Sequence, residues 1–305
     1  MSPVPLPSGP DSSGQQYREF PPDPALRGLV AFAWVQQVGA APYTRRRAPH
    51  GAVEIVCGAG AAPQVIGPLT VPLIERIEPG TTLVGVRLAL GALPAVTGLR
   101  ASELTGIACD AEELWGRAQA AALAAAIDEA ASPSAALTAL QDHVRGLAAD
   151  AAPLDPLVAA AVRELMPWRA SDVGSVQRSL HISESQLRRR FHSTVGIPPK
   201  PLHRMLRFQG FLALVQHAIT QGRNLNGANL SLMACQVGYS DQAHFTHECV
   251  RFTGVTPRVL LADTHRDCVG HDHSPSSAPL LLARTRLRLG SLPAVRHDSL
   301  RATAR

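Results

Sequence analysis

At 305 residues the chain has room for two domains with cores of their own, at roughly 100–200 residues per domain. It is 46% hydrophobic but only 4% aromatic, which favours Ala-rich helices around Leu/Val cores over an aromatic-lined pocket; no run approaches the roughly 18–20 apolar residues of a membrane helix. The formal charge of +5 is uneven: residues 1–169 carry a net −4, residues 170–263 a net +5 and residues 264–305 a net +4, so the rear is the part suited to a polyanion.

Residues 1–16 are rich in Pro, Ser and Gly, with neither a basic region nor an apolar core. They read as a disordered lead and not as a secretion signal, which makes the cytoplasm the default location. His50–Cys57, Pro63–Ile66 and Thr81–Leu90 are β-branched runs bounded by Gly and Pro, and read as strands. Ala92–Gly98, Ala101–Leu104 and Ala111–Arg117 read as short helices, Arg117–Ala131 and Ala135–Leu147 as longer ones, broken at Asp128–Pro133. Residues 17–150 form the expected N-terminal domain. Residues 151–170 are expected to hold a linker and a helix, Leu157–Leu165. Residues 171–263 form the expected rear domain, and 264–305 a basic, disordered tail.

Two constellations outside the rear domain have chemical potential. His50 and Glu54 could polarise a substrate, but no nucleophile with a base accompanies them, and an exposed strand end is the reading preferred. In the tail, His265, Cys268, His271 and His273 with Asp267 and Asp272 have ligand types that suit zinc, yet a Ser/Pro-rich stretch follows and the segment is read as disordered. Cys57, Cys109, Cys235, Cys249 and Cys268 form no C-x-x-C pair, and are read as buried or idle thiols. No G-x-S-x-G, P-loop or G-x-G-x-x-G is present. No catalytic residue, metal site or cofactor is therefore expected.

The rear half contains an internal repeat. One copy runs Val176, Leu180, His181-Ile182-Ser183, Leu187, Phe191, Gly196-Ile197, Pro199; the other runs Met233, Val237, Gly238-Tyr239-Ser240, Phe245, Cys249, Gly254-Val255, Pro257. The offset is 57 residues up to the turn and 58 after it. Each copy reads as helix, tight turn, an N-cap serine (Ser183 or Ser240) and a second helix. Leu187/Phe191 and Phe245/Cys249, spaced i, i+4, are expected to face inward. That leaves Ser185, Arg188, Arg189 and His192 outward in the first copy, and Gln242, Ala243, Thr246 and His247 outward in the second; Arg190 is expected to point sideways, toward phosphate or solvent. Such a helix can enter a major groove, where Arg matches guanine, Gln matches adenine, and Thr or Ala meets the thymine methyl. Between the copies, Pro201–His217 places Met205, Phe208, Leu212 and Val215 at helical spacing. A connecting helix there would let two units on one body enter grooves about 34 Å apart.

The second copy, Gly238-Tyr239-Ser240-Asp241-Gln242-Ala243-His244-Phe245 through Gly254-Val255-Thr256-Pro257, resembles the AraC/XylS family of transcription regulators. The first agrees through Ser183, Leu187, Phe191, Gly196 and Pro199. The resemblance spans residues 171–262. It implies an α+β protein overall: a β-containing N-terminal domain, then an all-α C-terminal domain with two helix-turn-helix units joined by a long helix. By position it assigns base reading to Ser185, Arg188 and Arg189, and to Gln242, Thr246 and His247. The implied partners are double-stranded DNA at an operator or promoter, RNA polymerase, a small-molecule effector and a second copy of the chain, with no membrane. Departures are Gln177 for a small residue at the helix crossing, His181 for the turn Gly, His247 for Arg and Cys249 for Phe; a Cβ at the turn is costly if φ is positive. More loosely, Phe20-Pro21-Pro22, Pro49 to Glu54, Ile66-Gly67-Pro68, Gly85-Val86-Arg87 and Glu113 to Gly116 resemble a poorly characterised sensor domain fused to this group.

Two other readings fit the same residues. One is a docking module that has lost base specificity. The other is a DNA-modifying enzyme like the alkylation-repair regulator similar to this family, whose front domain needs four zinc-binding cysteines; here only Cys57 and Cys109 precede residue 235.

Overall fold

The computed structural model describes residues 15–268, apart from 150, 152, 170–171, 221–222, 224 and 226. The front half is built on a six-stranded antiparallel sheet. In spatial order its strands are β1 (Gln16–Phe20), β2 (Val30–Gln37), β7 (Thr82–Leu88), β4 (Glu54–Gly58), β5 (Gln64–Ile66) and β8 (Ala108–Asp110). A separate antiparallel pair, β3 (Tyr43–Arg47) and β6 (Leu73–Ile77), completes the strands.

Side-chain alternation divides the sheet into two faces. Ala33 and Val35 of β2, Ile55 and Cys57 of β4, and Val84, Val86 and Leu88 of β7 join one core with the helices. Those helices are α1 (Leu93–Thr97), α2 (Ala111–Trp115), α3 (Arg117–Asp128) and α4 (Pro133–Leu147). A 3-10 turn, Ala101–Glu103, lies between α1 and β8. α4 starts where its proline costs no hydrogen bond, and Ser132 Oγ accepts from the Ala135 amide at 3.2 Å. The opposite face carries Phe32, Trp34, Val56, Ile66 and Leu69. Here Gly85 is required by its neighbour: a Cβ would lie 2.3 Å from the Trp34 ring.

Strands β1, β2, β3, β6 and β8 were not read from the sequence. β2 (VAFAWVQQ) is buried on nearly every residue, so it shows no polar–apolar alternation. β3 (YTRRR) looks like a solvated charge run, yet Arg47 is buried and both Arg45 and Arg47 lie over the Trp34 ring, at 5.4 and 6.0 Å from its centroid.

The rear half is helical: α5 (Pro156–Glu164), α6 (Val173–Ser179), α7 (Glu184–Thr194), α8 (Pro199–Thr220), α9 (Gly227–Gln236), α10 (Gln242–Thr253) and α11 (Pro257–Cys268). The expected architecture, a β-containing front followed by helices, is the one observed. α8 is the core of the rear half. Met205, Phe208 and Val215 are buried as their spacing implies and Leu212 partly so, but Leu202, Leu206, Phe211, Ala213, Leu214 and Ala218 are buried as well, leaving little polar face. The last helix runs five residues past Asp263. The tail histidines His271 and His273 and the rest of residues 269–305 lie outside the described residues, as do residues 1–14.

Candidate nucleic-acid interface

The two repeats fold as paired helices, α6–α7 and α9–α10. The first turn passes through His181 at φ 50°, the one non-glycine residue with positive φ among those described. The second passes through Gly238 at φ 92°, where no Cβ opposes the conformation. α7 opens on a capping box: Ser183 Oγ accepts from the Gln186 amide at 3.3 Å, and Gln186 Oε1 accepts from the Ser183 amide at 3.2 Å.

The second cap corrects the sequence reading. Asp241, not Ser240, caps α10, its Oδ1 accepting from the His244 amide at 2.7 Å, while the Ser240 hydroxyl donates to Asp241 Oδ2 at 2.9 Å. The extra residue in the second turn accounts for this, because the offset of 58 that aligns Leu187 with Phe245 also aligns Ser183 with Asp241. The amide hydrogen bond from His244 holds the Asp241 carboxyl below its ordinary value of 3.8.

Leu187, Phe191, Phe245 and Cys249 are all buried, so both second helices are oriented by their apolar faces. Phe245 stacks near Phe211 of α8 at 4.4 Å between centroids, and near Tyr239 at 5.3 Å. Burial raises the Cys249 thiol to about 11, so it stays protonated. Ser185, Arg188, Arg189 and His192 are exposed on α7, and Gln242, Ala243 and His247 on α10; Thr246 is half-buried. The structure therefore places three of the six sequence-assigned residues together on one helix and three on the other, with Thr246 the least accessible.

Two ion pairs go beyond the sequence reading. Arg190 is exposed, as expected, and also pairs with Asp155, whose other carboxylate oxygen caps α5. Glu248, in the middle of α10, is buried and receives both arms of the Arg204 guanidinium from α8, the Nε contact being 3.0 Å and the Nη2–Oε1 contact shorter. Its spacing from Phe245, Cys249 and Phe252 places it on the inward face of α10, but nothing in the sequence marks its partner, 44 residues away.

The front half holds a second polar cluster, and it overturns the exposed-strand reading of His50 and Glu54. Both are buried. Glu54 accepts from Arg87 Nε at 2.7 Å and pairs with Arg47; Arg47 Nε in turn donates to Glu75 Oε2 at 2.8 Å. Burial alone would raise the Glu54 pKa, but Arg47 and Arg87 outweigh it and keep the carboxylate ionised. His50 is lowered to about 3 by burial and then by Arg87, so it is neutral, with its Nδ1 accepting from the Ala52 amide at 3.1 Å. Arg47 Nη2 is buried without a hydrogen-bond partner. Among the described residues no group of His, Cys, Asp and Glu could hold a metal ion, and no helix is long and apolar enough to cross a membrane.

A family model described as a helix-turn-helix domain matches residues 177–263. This stretch is an AraC-type helix-turn-helix domain. The rear half is accordingly a DNA-binding domain. A second model, described as a domain of unknown function, matches residues 18–110, which include most of the strands. Among solved structures the chain is similar to apo ToxT of Vibrio cholerae, with 10% identity over 80% of this chain and 99% of that one, at a TM-score of 0.41. It is also similar to ToxT bound to (E)-4-(8-methylnaphthalen-1-yl)but-3-enoic acid, with 10% identity over 73% and 98% of the chains, at a TM-score of 0.38. No curated protein sequence matches it.

Proposed function

We propose that the protein is a sequence-specific AraC-type transcription regulator that reads two successive major grooves, with Ser185, Arg188 and Arg189 on α7 and Gln242, Thr246 and His247 on α10. The observation that carries the reading is the shared construction of the two helices. Each is capped at its N-terminus, pinned from behind by a buried i, i+4 pair, and presents polar side chains on the other face. Helix ends so placed bring amide and side-chain donors to the same phosphate-lined groove.

The front half is proposed as a sensor whose signal reaches DNA through its contacts with the rear half. RNA polymerase and a second copy of the chain are proposed partners of the same complex. Selection of bound sites from random DNA tests the central reading. Arg188→Ala, Arg189→Ala, Gln242→Ala and Thr246→Ala should each cost about 1–3 kcal/mol on the preferred site and relax one or two positions of the logo. Unchanged logos with uniformly weaker binding would mean that these helices grip only the backbone. A small molecule that changes the melting temperature of the full chain and its DNA affinity together would support the sensor.

A further inference from the structure

The front half touches the rear half at several places, and two of them lie at the C-terminal ends of the recognition helices: the last residue of α10, and Gly196, just beyond α7. At α10, the Arg46 guanidinium donates to the Thr253 carbonyl at 2.7 Å. Carbonyls in a helix's last turn lack intrahelical donors and carry the negative end of its dipole, so a cation is favoured there. At α7, the Thr105 hydroxyl sits 3.1 Å from the Gly196 carbonyl and 3.0 Å from that of Ala101, shared between the two. Gly196 has φ 80°, and a Cβ on it would come within 2.8 Å of the Ala101 oxygen. The approach is therefore as close as backbones allow.

A third contact holds the helix between them, where Gln209 of α8 donates to the Pro49 carbonyl at 2.9 Å. None of these contacts covers the outward faces of α7 and α10.

Arg46 is also held firmly. Its neighbours on β3 point the other way into the buried cluster, Arg45 donating to Glu75 at 3.0 Å and Arg47 pairing with Glu75 and Glu54. A stray surface arginine would have no such anchorage.

We infer that Arg46 and Thr105 are positioning residues, through which the front domain sets the separation and phase of the two recognition helices and so the spacing of half-sites the protein accepts. This rests on the two-groove reading above. The first measurement needs no DNA: amide exchange on the full chain. Arg46→Ala should speed exchange at Gly254 and Val255 by about threefold or more, and Thr105→Val should do so at the end of α7. The second compares duplexes whose half-sites are separated by one added or removed base pair, which rotates one site by roughly 34–36°. The parent should lose about tenfold in affinity per step, and either variant about threefold or less, with an unchanged base logo and with Arg46→Lys restoring the parent's discrimination. An unchanged spacing profile, at whatever overall affinity, would overturn the inference, and so would unchanged exchange at both helix ends. A parent that selects no bipartite site would instead sink the two-groove reading, and the exchange data would still decide whether the front domain holds the helices.

Discussion

The two helix-turn-helix units reach the same shape by different chemistry. The first has a strained His181 turn, a Ser183–Gln186 capping box, the pair Leu187 and Phe191, and an exposed ion pair from Arg190 to distant Asp155. The second has an unstrained Gly238 turn and an Asp241 cap, and adds buried contacts with distant residues, Phe245 against Phe211 and Glu248 with Arg204. A helix can thus be aimed either by its own sequence or by its neighbours. Residue-by-residue comparison of the repeats under-reports the second way.

The largest effect that would sharpen this contrast is removal of Phe245. Phe245→Ala should destabilise by about 3–5 kcal/mol, since it empties the centre of an aromatic cluster. Thermal unfolding checks it, and a loss below about 1 kcal/mol would show that the cluster can collapse to fill the space.

Next comes Glu248→Gln, which keeps the shape but removes the buried charge opposite Arg204. A loss of about 2 kcal/mol is expected, below the full cost of breaking a buried pair because Arg204 can still turn to solvent. A cycle with Arg204→Gln measures the coupling directly, and additive single effects would show that the two residues do not act together.

The turn strain gives a smaller change of opposite sign. His181→Gly should stabilise by about 0.5–1 kcal/mol, the relief of a positive-φ side chain being offset in part by a freer unfolded chain. A lowered Tm would mean that the imidazole makes a compensating contact.

The smallest effect separates the two caps by pH. The Asp241 carboxyl is held below 3.8 in the folded protein, so its contribution is present above that value and is lost as pH falls through the lowered folded value. Asp241→Asn keeps a good cap and removes this titration. Comparing acid unfolding of the two proteins checks it, and identical profiles would show that the cap is not felt in acid stability.

Legibility followed the range of the forces. The first cap, the inward pairs and the connecting helix α8 were readable because each is decided within one or two turns. The shift from Ser240 to Asp241 was also present in the sequence, in the change of offset from 57 to 58. β2 and β3 were not readable, because burial on both faces hides the alternation in one, and a run of arginines hides it in the other.

The sequence by itself determined that two helix-turn-helix units exist and which residues of their second helices face the core. Periodicity and capping are local, and 3.6 residues per turn leaves little freedom once Leu187, Phe191, Phe245 and Cys249 must be buried. Only the tertiary structure decided that Arg46 and Thr105 of the front half close the ends of α7 and α10, that Arg190 belongs to Asp155, and that Glu54 sits between Arg47 and Arg87. These pairings join residues from 7 to 207 apart. A charged or hydroxyl side chain carries no mark of which distant carbonyl or carboxylate it will meet, because that is set by the packing of the elements between them.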